Sequence, residues 1–80
     1  MLKLSKKSKH SAEEVIKRAV KYFGSEGYGL KVTEKDDCCV TFEGGGGGVY
    51  VTTAAEKKGT TVDVESREWD FQTEEFMGKI

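Results

Sequence analysis

The sequence has no apolar run approaching the ~20 residues of a membrane helix, and no hydrophobic stretch follows its N-terminal lysines as in a secretory signal. Neither sign of charge dominates, since 13 Lys and Arg face 14 Asp and Glu for a net charge of −1. A chain without an overall basic footprint is a poor match to a dedicated nucleic-acid binder. Histidine is nearly absent: His10 stands alone, so a zinc site could draw only on His10, Cys38 and Cys39, fewer than the four ligands of a structural zinc. The two cysteines are adjacent and cannot staple distant segments, as a small secreted domain usually requires. The resulting expectation is a cytoplasmic protein with no membrane association, no metal and no cofactor. At 80 residues there is room for one hydrophobic core, hence a single domain over 1–80.

Charge is nonetheless unevenly placed. Lys3, Lys6, Lys7, Lys9, Lys17, Arg18 and Lys21 crowd residues 1–21, opposed there only by Glu13 and Glu14. Asp63, Glu65, Glu68, Asp70, Glu74 and Glu75 crowd the last part of the chain. A basic start and an acidic end serve either an external partner or each other.

The clearest element is a helix over 12–23. Ser11-Ala12-Glu13-Glu14 fits a capping box, in which the Ser11 hydroxyl accepts from the Glu14 N–H and the Glu14 carboxylate reaches back. Val15, Ile16, Ala19, Val20 and Phe23 recur on one face. Glu13/Lys17 and Glu14/Arg18 are spaced for ion pairs on the other face. Gly24, Gly27 and Gly29 stop the helix.

Beyond the helix the period falls to two, the signature of half-buried strands. Tyr28, Leu30 and Val32 define inward positions over 28–34. Cys38, Val40 and Phe42 do so after a turn at Lys35-Asp36-Asp37, leaving Cys39 on the opposite face. Val49 and Val51, then Val62 and Val64, mark two more strands joined by a turn at Glu56-Lys57-Lys58-Gly59. Leu2 and Leu4 suit a first strand over 1–8. Trp69 and Phe71 fall out of phase with Val62 and Val64, so a bulge or a turn is expected there, with strand to about residue 68 and a short helix from about 71. The expected core is Leu4, Val15, Ile16, Ala19, Val20, Phe23, Leu30, Val32, Val40, Phe42, Val49, Val51, Val62, Val64, Trp69 and Phe76.

The predicted class is α+β, with element order β-α-β-β-β-β-α and an antiparallel meander. That order resembles the helix-grip and TATA-binding-protein-like architectures, in which a curved antiparallel sheet wraps a helix. The resemblance spans the whole chain and is carried by element order. It implies that the first strand pairs with the last, setting Lys3 beside Asp63 and Glu65. A helix-grip likeness also implies a small apolar ligand held between helix and sheet.

Chemical motifs are sparse. The run Gly44–Gly48 leads into a strand where a phosphate loop would open a helix, so it is expected to be a hairpin connection. Glu74-Glu75 and Asp63/Glu65 do not by spacing alone make an acid–base pair, and His10 has no evident nucleophile beside it. The expectation is a non-enzymatic interaction or accessory module without catalytic residues. One rival is nucleic-acid binding through Lys3, Lys7, Lys9 and Tyr50. The other is the apolar ligand implied by the resemblance. An uncovered edge strand, 1–8 or 28–34, offers a route to a protein partner or a second copy.

Overall fold

The computed structural model describes residues 2–80. Met1, included in the expected first strand, lies outside the described residues. The elements are β1 (Leu2–Ser8), α1 (Ala12–Phe23), β2 (Lys31–Lys35), β3 (Cys39–Gly44), β4 (Gly47–Glu56), β5 (Gly59–Arg67) and α2 (Asp70–Lys79). The strands form one open antiparallel sheet in the order β1-β5-β4-β3-β2. This is the α+β, β-α-β-β-β-β-α arrangement read from the sequence, with the first strand paired to the last.

Helix α1 begins as its sequence dictates. Ser11 is extended (ψ 161°), and its hydroxyl accepts from the Glu14 N–H at 3.2 Å. The return half of the capping box is not made. The Glu14 carboxylate turns instead to Arg18, 3.0 Å away, because the i,i+4 guanidinium offers it a charged donor. Val15, Ile16, Ala19 and Phe23 are buried against Val40 and Phe42 of β3, Val49 and Val51 of β4, and Val62 and Val64 of β5. Each such large side chain contributes about 1.5–3 kcal/mol of transfer free energy before chain entropy is counted. Leu30, Phe76 and Met77 complete the buried cluster, while Leu4, Val20, Val32 and Trp69 are only partly buried at its margin. Met77 was not among the expected core residues.

The glycine run is a hairpin whose glycines have separate tasks. Gly45 and Gly46 form a two-residue turn with φ of 59° and 82°, the paired positive values that a tight, twist-matched hairpin needs. Gly47 lies in β4, where a Cβ would collide with the Arg67 carbonyl oxygen. That closeness follows from the next event in the chain. β5 ends at Arg67, and Glu68 takes a positive φ of 68°. The out-of-phase Trp69 is thereby explained by a turn, with α2 starting at Asp70.

Three local expectations are corrected. Residues 28–30, expected to open a strand, are not strand: the Gly29 N–H donates to the Gly24 carbonyl at 2.8 Å and the Tyr28 N–H to the Tyr22 carbonyl at 3.2 Å. The chain thus folds back on the end of α1, and Tyr28 is 43% exposed. Strand β2 begins at Lys31 and carries a bulge between Val32 and Glu34. Cys38 does not pack inward beside Val40. It is exposed in the β2–β3 turn, because the Thr53 N–H and hydroxyl both donate to its carbonyl at 2.7 Å.

Helix α2 has no side-chain N-cap. Its C-terminal carbonyls are instead satisfied from β1. The Lys6 ammonium donates to the Met77 carbonyl at 2.7 Å, and the Ser8 hydroxyl donates to that of Ile80 at 3.0 Å. A lysine turned inward on an edge strand both blunts that edge and complements the negative end of a helix.

Candidate interaction surface

Two surfaces present candidate side chains. The first is the sheet face turned away from the helices. Registers across it place Lys3 and Tyr50 on either side of Glu65, and Ser5 and Thr52 on either side of Asp63. Lys3 closes on Glu65 at 3.2 Å, as the pairing of first and last strands predicted. The pair is exposed, so it contributes little to stability. Its consequence is electrostatic: Lys3, across Glu65 from Tyr50, is already matched. Lys7 lies opposite Thr61, and Lys9 follows the end of β1. The structure thus sets Lys3 across Glu65 from Tyr50 but leaves Lys7 and Lys9 further along, with Asp63 and Glu65 on the strand between Tyr50 and β1. Lys31 and Glu34 of β2, Glu43 of β3 and Arg67 of β5 add exposed charges of both signs to the sheet.

The second surface lies at the free ends of the two helices. Phe23 sits 5.4 Å, ring centre to ring centre, from Phe42 and 5.3 Å from Phe76. Phe76 meets Tyr22 at 5.5 Å, Tyr22 meets Tyr28 at 5.4 Å, and Tyr28 meets Trp69 at 5.8 Å. Aromatic contacts therefore run unbroken from the core to the exposed loop. Trp69 is fixed at the outer end by its indole N–H, which donates to the Gly44 carbonyl at 2.9 Å. The glycine at 45 leaves room for the ring.

Beside this chain lies an open groove of about 520 Å³ lined by Arg18, Lys21, Tyr22, Glu26, Gly27, Tyr28, Phe76, Lys79 and Ile80. The Tyr22 hydroxyl donates to the Glu75 carboxylate, and the Lys79 ammonium stands 5.1 Å from the centre of the Tyr22 ring. Burial first, and the Glu75 carboxylate second, push the Tyr22 phenol well above its usual pKa. It remains a protonated donor at neutral pH and cannot serve there as a nucleophile or base. Glu74 is exposed and does not share in this bond. Between α1 and the sheet the space is filled by Phe23, Phe42 and the valines around them.

No protein-family model, curated protein or solved structure matches the chain. Among the described residues no group of three or more His, Cys, Asp and Glu converges as a metal site, and no helix is long and apolar enough to cross a membrane.

The groove was missed by sequence reasoning. Tyr22 lies one step off the stripe that ends at Phe23, and the parity of Tyr28 with Leu30 points to a strand. The available signal was the density of aromatics, Tyr22-Phe23 followed by Tyr28, around a glycine-rich helix stop.

Proposed function

We propose that this protein is a non-enzymatic interaction module, and that its contact surface is the aromatic groove at the ends of α1 and α2. The observation that carries this reading is the exposed Tyr28, held edge-on to Tyr22 and leading to Trp69. Rigid aromatic side chains at a partly open surface are the usual anchors of protein recognition. The rim favours an acidic partner segment bearing an apolar side chain. Among the described residues Lys21 pairs with no carboxylate, and Lys79 offers its charge above Tyr22. A minimal helix-grip or TATA-binding-protein-like kinship and a cytoplasmic home belong to the same proposal, supported by element order and by cysteines that tie no distant segments.

Trp69, the sole tryptophan, reports on this surface. Short peptides alternating leucine or phenylalanine with glutamate should shift its emission saturably, and Tyr28→Ala should abolish the shift while Lys7→Gln leaves it intact. Peptide binding indifferent to Tyr28→Ala would defeat the proposal. So would a response confined to single-stranded nucleic acid at low salt and lost steeply as salt rises, which is the signature of the rival reading.

A further inference from the structure

Cys38 and Cys39 are bonded to each other at the tip of the β2–β3 hairpin. Being consecutive, their Cα atoms stand 3.8 Å apart, closer than the ~4.4–6.8 Å across which disulfides ordinarily form. The bond encloses no loop, so it gains almost nothing from the chain-entropy effect that makes long-range disulfides stabilising. Its significance is chemical. Exposed or constrained disulfides are the ones that exchange with thiols, and Cys38 is exposed.

The surroundings keep the pair together whether or not the sulfurs are joined. The Thr53 N–H and hydroxyl clamp the Cys38 carbonyl at 2.7 Å, and the Asp36 N–H donates to the Cys39 carbonyl at 2.7 Å. Thr53 is itself buried, so this clamp belongs to the sheet and not to the disulfide. A reduced pair therefore stays positioned to close again. Exposed Asp36 and Asp37 precede it directly and outnumber Lys35, which lines the same hollow, so the local charge is negative.

We propose that Cys38–Cys39 is a reversible thiol–disulfide exchange site that discriminates among small thiols by charge. A thiolate attacks the exposed Cys38 sulfur, the S–S bond breaks, and the electron pair leaves on the Cys39 sulfur, which takes a proton. A second thiolate of the reductant then attacks the mixed disulfide at its own sulfur. Cys38 departs as a thiolate and is protonated, and the reductant is released as its disulfide. Two electrons pass to the protein, and a small-molecule disulfide drives the reverse. The flanking carboxylates repel anionic thiols and attract cationic ones.

The test uses the full chain purified in air. Alkylation in denaturant without reductant should label neither cysteine, and brief treatment of the folded protein with cysteamine should expose both. Cystamine should then close the bond again, and the melting temperature should hardly move throughout. At low ionic strength cysteamine should react about fivefold faster than mercaptoethanesulfonate at equal thiolate concentration, as expected for unit charges a few ångströms apart in water. A joint Asp36→Asn and Asp37→Asn substitution should level the two rates. Free cysteines in the air-purified protein, a covalent dimer, or reduction only after unfolding would overturn exchange at this site. A rate ratio unmoved by neutralising both carboxylates would overturn the charge selection.

Discussion

The two helices reach the same sheet by opposite means. Helix α1 is specified locally: a serine cap, acids in its first turn, and a one-sided apolar stripe ending at Phe23. Helix α2 shares only an acid, Asp70, in its first turn. It lacks a side-chain cap, Phe71 near its start is 68% exposed, and its carbonyl end is held by Lys6 and Ser8 from the other end of the chain. One helix organises the core. The other is placed by what surrounds it, and its placement assembles the aromatic groove. Short helices gain most of their stability from tertiary packing, so α2 should be the first to loosen when a distant contact is cut.

Cutting the shared anchor should be most damaging. Phe23 touches both Phe42 and Phe76, so Phe23→Ala should cost about 3–5 kcal/mol in urea denaturation and loosen both helices together. Next comes Lys6→Met, which keeps the apolar stem and removes a charged hydrogen bond worth about 1.5–3 kcal/mol. Amide exchange should then quicken across α2 and leave α1 protected. Equal loss of protection in both helices would remove the contrast between them. Ser11→Ala should do the converse, at about 1 kcal/mol, with fraying confined to the start of α1.

A smaller effect concerns Tyr22, which joins the helices through Glu75. Its phenol is held above the unfolded value, so the proton is bound more tightly in the folded state. The stability this contributes is intact below the ordinary tyrosine pKa of about 10 and declines as pH rises beyond it. Denaturation midpoints followed from roughly pH 9 to pH 11 should fall less steeply in Tyr22→Phe than in the parent.

What was legible in the sequence follows the same division. The 3.6 and 2.0 periods are local properties, and they located α1 and the inward valines of β4 and β5; the placement of Lys3 beside Asp63 and Glu65 came from the resemblance in element order. The misreadings arose where a distant group sets the local conformation. Cys38 has the parity of Val40, yet Thr53, on another strand, holds it in the turn. Tyr28 has the parity of Leu30, but its backbone is hydrogen-bonded to the end of α1. The phase break before Trp69 was visible, while its cause, a positive φ at Glu68 that seats the indole on the glycine hairpin, depends on contacts between residues far apart in sequence. Met77 was placed in the C-terminal helix but not in the core, because α2 shows no clean stripe. The candidate surface was the least legible part, since it is assembled from a helix end, a loop and the C-terminal helix.

The central claim is that the side chains gathered by α2, and not the charged sheet face, meet the partner. Amide chemical-shift mapping with a leucine–glutamate peptide addresses it directly. Shifts clustered at residues 18–30 and 69–80, and lost in Tyr28→Ala, are the predicted result. Shifts centred on Lys3, Tyr50, Asp63 and Glu65, with the helix ends silent, would contradict it.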